Sequence, residues 1–125
     1  MAGQSVNLRP TILNLFLYSG DGFSIKLVCT DSAGAPIDLT GSVTAQVRVD
    51  RVHPEDTPLA SFSVETVDSY LGIVTLSLSG AQTDALLEDT SEKFTGVWDV
   101  EWVPQDKEPR TLLQGTVECV ADVTR

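Results

Sequence analysis

The sequence is poor in basic residues. It holds 8 lysines and arginines against 18 aspartates and glutamates, which gives a formal net charge of −10 at pH 7. Binding to a nucleic-acid backbone or to an anionic membrane surface requires clusters of Lys and Arg that displace counterions. The densest basic cluster, Arg48 and Arg51, amounts to one strand end. The charge therefore argues against nucleic acid and membranes as partners.

Cysteine and histidine are almost absent. The 2 cysteines are Cys29 and Cys119, and the 1 histidine is His53. Two cysteines are too few for a disulfide scaffold and have no metal-ligand spacing. We predict two buried free thiols, with a disulfide between the first and last parts of the fold as the alternative. A Ser-His or Cys-His nucleophile would need His53, which we interpret as an exposed loop residue. The sequence thus predicts no enzyme, no metal and no cofactor.

No apolar run is long enough to span a bilayer. The longest candidate, TILNLFLY at residues 11–18, is short and is interrupted by Asn14. The first ten residues contain no apolar leader followed by a cleavage site. We therefore expect the chain to be made and folded in a cytoplasm.

What the sequence does have is alternation of apolar and polar residues between turn-forming clusters. This period of two is typical of half-buried strands, and the turns recur at short, regular spacing. It predicts one all-β domain over residues 11–125, an antiparallel β-sandwich of about seven strands. The residues predicted to face the core on three of these strands are Phe23, Ile25, Leu27, Cys29, Val43, Ala45, Val47, Val49, Trp98, Val100 and Trp102.

Three segments depart from plain alternation. SGAQTDALLED predicts one short helix near residues 80–88, with Ser79 as its N-cap. Gly115 predicts a β-bulge in the last strand. Residues 1–10 lack periodicity and predict an extended arm that is either loose or used to grip a neighbour. The candidate contact residues of this arm are Val6, Leu8, Arg9 and Pro10.

Two pairs on one strand allow a functional interpretation. Asp99 and Glu101 share a strand face and have the spacing of paired carboxylates, although a solvated strand face is the commoner reason for such charges. Trp98 and Trp102 would suit a sugar-binding platform if they were exposed. Their phase with Val100 places them in the core instead.

Aspartates also stand in three predicted turns, at Asp21, Asp31 and Asp38. A carboxylate in a turn usually accepts hydrogen bonds from nearby backbone N–H groups. None of the three begins the ligand pattern of a calcium-binding loop, so we interpret them as turn-forming residues.

Four segments, taken in order, carry a family resemblance. They are GDGFSIKLVCTDSAGAPIDLTG, VTAQVR, GIVTLSLSGAQTDALLE and RTLLQGTVECVADVTR. This ordered set, over roughly residues 18–125, resembles small virion proteins of tailed phages and prophages. Those proteins are similar to the immunoglobulin-like N-terminal domain of the phage baseplate upper protein. The chain lacks the long C-terminal receptor-binding portion of a full baseplate upper protein.

The resemblance implies an immunoglobulin-like sandwich and a non-enzymatic structural role. The expected place is the virion, after assembly in the host cytoplasm, as a minor tail, baseplate or fibre-attachment protein. The expected partners are other virion proteins of the tail, baseplate or capsid, and further copies of the chain. A capsid decoration (cement) protein is the first alternative, and a carbohydrate-binding β-sandwich module is the second.

Overall fold

The computed structural model describes residues 11–50, 58–87, 92–105 and 107–121. Within these ranges the alternating segments form nine strands and one short helix. The elements are β1 Thr11–Ile12, β2 Leu15–Tyr18, β3 Phe23–Val28, β4 Gly41–Arg48, β5 Ala60–Ser61, β6 Ser63–Asp68, β7 Ile73–Leu78, α1 Gly80–Ala85, β8 Lys93–Pro104 and β9 Arg110–Val120. Among the described residues, no helix has the length and apolar character to cross a bilayer.

The strands form two sheets that pack face to face. The large sheet has the order β1–β9–β8–β4–β5, with β2 also paired to β9, and the small sheet has the order β3–β7–β6. This distribution of strands is the immunoglobulin-like arrangement, so the predicted all-β sandwich is confirmed. Counting β1 and β2 as one interrupted strand, and leaving out the two-residue β5, gives the predicted seven.

One part of the prediction is wrong, because the sandwich is not purely antiparallel. Both β1 and β2 run parallel to β9, while every other strand pair is antiparallel. The first strand and the last strand are distant in sequence, and alternation within each one says nothing about their relative direction.

The core lies between the sheets, where the predicted inward residues meet. Trp98 and Val100 of β8 pack against Leu76 of β7, and all three are almost completely buried. A smaller cluster of Leu39, Val74 and Trp102 extends the core to one end. Val49 is an error of the prediction. Since β4 ends at Arg48, Val49 leaves the sheet and is 61% exposed.

The N-terminal strand is divided where it crosses Gly115. The backbone carbonyl of Leu13 accepts a hydrogen bond from Trp98 Nε1 at 2.8 Å, and Asn14 Oδ1 accepts one from Thr116 N at 3.0 Å. A Cβ on residue 115 would collide with the Leu13 carbonyl, so glycine is needed for this close approach. The predicted bulge at Gly115 is wrong. The register shifts at Leu112 instead, between the pairs Val100–Leu113 and Glu101–Thr111.

Helix α1 is shorter than predicted. Ser79 and Gln82 form a capping box, which confirms the predicted N-cap. The helix ends at Ala85 rather than near residue 88, because the N–H groups of Leu86 and Leu87 bond three residues back and tighten the last turn. Thr83 fixes α1 to the β2–β3 turn, since its hydroxyl donates to the Asp21 carbonyl at 2.9 Å.

Candidate interaction surfaces

The structure does not bring the two carboxylates of the predicted pair on β8 into one pocket, because Asp99 lines a depression together with Asp50 and Glu101 does not line it. Asp99 is half-buried on the outer face of the large sheet, where its cross-strand neighbours are Gln46 and Gln114. Glu101 is exposed further along the same face. Asp99 lines a shallow polar depression of about 310 Å³ that also contains Arg48, whose Nη2 donates to Gln46 Oε1 at 3.1 Å.

Both tryptophans belong to the core, as predicted. Trp98 is 1% exposed and Trp102 is 8% exposed. Each indole N–H is satisfied by a backbone carbonyl, that of Leu13 for Trp98 and that of Thr40 for Trp102 at 3.1 Å. The Phe62 ring packs 5.5 Å from the ring of Trp98. Neither tryptophan presents a face to a sugar.

The two cysteines are free thiols at opposite ends of the sandwich, so the alternative of a disulfide is wrong. Cys119 is buried beside α1, and its Sγ lies 3.6 Å from the carbonyl oxygen of Thr83. Burial, and then the nearby Asp84 carboxylate, raise the pKa of the Cys119 thiol. Cys29 is half-buried rather than buried, and burial raises its pKa as well.

The turn aspartates act on their own loops. Asp31 Oδ1 accepts hydrogen bonds from Ala33 N at 2.9 Å and Ala35 N at 3.0 Å, and Asp38 Oδ1 accepts one from Thr40 N at 2.9 Å. These two confirm the predicted turn-forming role. In the part of the chain that the structure describes, no group of three or more His, Cys, Asp or Glu side chains is placed to hold a metal ion.

Several predicted residues lie outside the described residues. These are His53 and the four candidate contacts of the arm, Val6, Leu8, Arg9 and Pro10. Their roles, and the boundary between the arm and the domain at residue 11, stay predictions.

A cluster of large apolar side chains is exposed where β6 turns into β7. Tyr70 and Leu71 are the two central residues of a turn closed by a hydrogen bond from Gly72 N to Ser69 O at 3.1 Å. Central turn positions usually hold Gly, Pro, Asn, Asp or Ser, which suit water. Here the two side chains are 73% and 48% exposed.

Two more exposed valines stand beside this turn. Val28 ends β3 directly opposite Ile73, the first residue after the turn, and is 59% exposed. Val67 is the extra residue of the β6 bulge and is 56% exposed. We name Val28, Val67, Tyr70 and Leu71 the turn patch. Contiguous exposed apolar side chains of this kind mark interaction surfaces more often than single exposed residues do.

Carboxylates surround the turn patch. Asp68 belongs to the same turn, and its Oδ1 accepts a hydrogen bond from Leu71 N at 3.2 Å. Asp38 is close by, because the N–H of the next residue, Leu39, donates to the Ser69 carbonyl at 2.8 Å. Across strands β3, β6 and β7, Lys26 is the one basic side chain. The patch is therefore apolar at its centre and acidic at its margin.

A second surface lies along the side of the sandwich where β1 and β2 of the large sheet face β3 of the small sheet. An apolar groove of about 360 Å³ opens there, which we name the edge groove. Its lining residues are Thr11, Ile12, Leu13, Leu27, Val28, Cys29, Thr30, Ile37, Leu112 and Leu113. The Leu112 bulge contributes to this lining, because it directs two successive leucines of β9 to the same side.

Strand β2 carries a further exposed apolar pair beyond the groove. The rings of Phe16 and Tyr18 meet edge to face, with centroids 5.4 Å apart, on the outer face of the large sheet. The sequence analysis did not single out Phe16 and Tyr18, nor Tyr70 and Leu71 of the turn patch. Two signals could have indicated their exposure. Tyr70 and Leu71 stand inside a turn-forming segment, and Phe16 and Tyr18 are out of phase with the buried Leu15 and Leu17.

No protein-family model matches the chain, and no curated protein matches it in sequence. Among solved structures, one similar chain is described as "Crystal Structure of the ZIG-8-RIG-5 IG1-IG1 heterodimer, monoclinic form". The match has a TM-score of 0.39 and 11% sequence identity, and it covers 97% of this chain and 90% of that chain. The immunoglobulin-like fold of this chain rests on the strand order of its two sheets.

Proposed function

We propose that this chain is a non-enzymatic structural protein of a tailed-phage virion, at the tail, baseplate or fibre attachment. It would act by docking other virion proteins onto its sandwich. The resemblance of four ordered segments to small phage virion proteins supports the place. The turn patch supports the mechanism, and it is the single structural observation on which the docking role rests.

The turn patch is suited to docking because its side chains lie outside the core, so their apolar character does not stabilise the free protein. Tyr70 and Leu71 project from the tip of a turn, and a polar residue at either position would leave the core unchanged. Leu71 is 48% exposed, so burial of the rest of its side chain against a partner is worth about half of the 1.5–3 kcal/mol of a fully exposed leucine, or ~0.8–1.5 kcal/mol. This corresponds to an affinity gain of roughly fourfold to tenfold.

The acidic margin defines the chemistry of the partner. A complementary surface would present an apolar centre with Lys or Arg side chains around it, positioned against Asp38 and Asp68. Charge pairs at such a margin mainly accelerate association and are weakened by salt. Docking should therefore slow as the ionic strength rises, while the apolar contact persists.

Capsid decoration uses the same physical mechanism at a different place on the particle, and the experiment below separates the two. The carbohydrate-binding alternative rested on exposed tryptophans. Since Trp98 and Trp102 are buried, no observation on this structure favours it.

The test is immunogold electron microscopy of purified phage particles, with an antibody to this chain and a protein blot of the same particles. Label at the distal tail would support the proposal. Label over the capsid would move the role to decoration. A chain absent from the blot of intact particles would overturn the virion role altogether.

The docking surface needs a variant test with a matched control. Leu71→Ser and Tyr70→Ser remove apolar area from the turn patch, whereas Val49→Ser removes a similarly exposed apolar side chain at the end of β4. Both patch variants should fold and be lost from particles, and the control should be incorporated normally. Normal incorporation of the patch variants would show that docking uses another surface.

A further inference from the structure

The edge groove lies beside a strand position that immunoglobulin-like sandwiches commonly fill. In the constant-type arrangement the sheet that contains the B, E and D strands also contains strand A at its edge. Here the corresponding sheet is β3–β7–β6, and the first strand of the chain pairs with β9 in the other sheet instead. Among the described residues, β3 therefore pairs on one side only.

The backbone of β3 leaves a defined set of groups at this edge. Cys29 N donates to the Gly72 carbonyl at 2.9 Å, so residues of the same phase, Ile25 and Leu27, direct their N–H and C=O groups toward β7. The alternate residues, Ser24, Lys26 and Val28, direct theirs to the open edge. An added strand would pair with these groups and place every second side chain in the edge groove.

A second β3 is a poor occupant of this edge. Antiparallel pairing of two β3 strands in the register that sets the outward-directed Ser24 opposite Val28 would place Lys26 opposite its own copy. Like charges directly opposite each other destabilise a strand pair. A single lysine on an edge strand is a common means of preventing such symmetric pairing. The occupant is therefore a strand of different sequence.

The N-terminal arm has the sequence that the edge groove requires. In Ser5–Arg9 the apolar residues Val6 and Leu8 alternate with polar ones, so an extended arm would present both to one side. Ile12, Leu27 and Leu112 would receive Val6, and Leu8 would lie at the end of the groove beside Ile25, the next inward residue of β3. Arg9 is the arm's one charged side chain, and acidic residues lie just beyond both ends of β3, at Asp21 and Asp31.

The arm reaches this edge best from another molecule. Antiparallel pairing is the more stable kind, and for an arm on its own β3 it would place Pro10 near Phe23. Thr11, however, lies at the Val28 end, where both residues line the groove. The two ends of the six-residue β3 are about 17 Å apart. Consecutive residues such as Pro10 and Thr11 have Cα atoms only about 3.8 Å apart, so the arm cannot pair in this direction with its own β3.

We propose that residues 1–10 of one copy add as an antiparallel strand along β3 of a second copy, and bury Val6 in its edge groove and Leu8 at the end of that groove beside Ile25. The contact joins two different surfaces, so it either closes by mutual exchange of arms or continues into a ring or row of copies. It uses the edge groove, which shares only Val28 with the turn patch, so variants of Tyr70 and Leu71 test the docking role in the virion separately from this contact.

The first test is the molar mass of the purified full chain by sedimentation equilibrium over a range of concentrations. The wild type should self-associate. Val6→Asp and Leu8→Asp should each weaken association by about tenfold or more, since each puts a charge in an apolar groove. Both positions precede β1, the first described strand, so circular dichroism should be unchanged. A wild type that is monomeric throughout would overturn the proposal.

Proline substitutions give a matched pair on the two edges of the same sheet. Lys26→Pro removes an N–H that points to the open edge of β3, and should abolish association. Thr66→Pro makes the same change on β6, where the register on β7 directs the Thr66 N–H outward, and should leave association intact. Equal effects of the two variants would show that the edge of β3 is not the contact.

Cys29 supplies a cross-link that distinguishes two copies from one. A chain with Val6→Cys and Cys29→Ser is mixed with a chain that keeps Cys29 and has the natural arm, and the mixture is mildly oxidised. A disulfide-linked dimer between the two chains should form, and it should form more readily than with Leu8→Cys, because antiparallel addition brings position 6 nearer to Cys29. If no disulfide joins the two chains, whereas a single chain with Val6→Cys that keeps its own Cys29 forms an intramolecular disulfide, the arm occupies its own groove and the proposal is wrong.

Discussion

Replacing Gly115 with alanine tests the close approach that divides the N-terminal strand. The added Cβ would collide with the Leu13 carbonyl and would lie 2.9 Å from Asn14 Oδ1. The colliding oxygen is backbone, so a side-chain rotation cannot relieve the contact, and β1 must move away from β9. The indole N–H of Trp98 then loses its acceptor.

The expected magnitude follows from these two effects. A buried donor left without a partner costs about 1–3 kcal/mol, and a forced backbone shift in a packed region costs a further ~1–3 kcal/mol. We expect Gly115→Ala to lower the free energy of unfolding by about 2–6 kcal/mol. Gly34→Ala is the control, because Gly34 has a φ of 86° with no atom within 4 Å of the added Cβ. That left-handed conformation alone should cost about 1–2 kcal/mol.

The assay is urea unfolding monitored by tryptophan fluorescence. Trp98→Phe is introduced into the wild type and into the Gly115→Ala variant. If Gly115→Ala has already broken the bond from Trp98 to Leu13, Trp98→Phe should cost less in the alanine background, with a coupling of about 1 kcal/mol. Additive effects, or a Gly115→Ala variant as stable as Gly34→Ala, would refute the role given to this contact.

Three further predictions concern the core and its polar groups. The pKa of Cys119 is raised in the folded protein, so the folded state holds the thiol proton more tightly than the unfolded state does. The Cys119 thiol therefore contributes its full stabilisation below the ordinary thiol pKa of 9.0, and this stabilisation is lost as the pH rises above that value. Cys119→Ala should therefore reduce the loss of stability between neutral and strongly alkaline pH, as measured by urea unfolding. Thr83→Val should destabilise by about 2 kcal/mol, because it removes the partners of Gly20 N and the Asp21 carbonyl, while Thr83→Ser should cost less. Acrylamide should quench the fluorescence of the two tryptophans weakly in the native protein and strongly in urea; strong quenching before unfolding would contradict their burial.

The strands could be predicted from the sequence because alternation within a single segment, as in β7 and β8, shows which face of that strand is apolar. Features that depend on another strand were not predictable in this way. The shift at Leu112 arises from pairing with β8, and glycine is needed at position 115 because the Leu13 carbonyl, from a distant part of the chain, leaves no room for a Cβ. Val49 continues the alternation in sequence, but the sheet ends one residue earlier.

The interaction surfaces were less predictable than the fold for a related reason. Tyr70 and Leu71 stand in a segment that was identified correctly as a turn, and turns are expected to be polar, so their apolar character was not interpreted. Val28 is out of phase with the predicted inward residues Ile25 and Leu27, so alternation already places it outward, but its apolar character was not interpreted. Exposure is a property of the assembled sandwich, and sequence patterns predict it only where alternation is regular.

The parallel pairing of the first and last strands has a mechanical consequence. The chain enters β1 beside Leu113 and leaves β9 beside Tyr18, so the two connections emerge at opposite ends of the sandwich. A pulling force transmitted along the chain would act along β2 and β9 in opposite directions. Their backbone hydrogen bonds would then share the load and yield together, rather than open one after another from an end. A protein built this way can carry tension applied at the two ends of the sandwich.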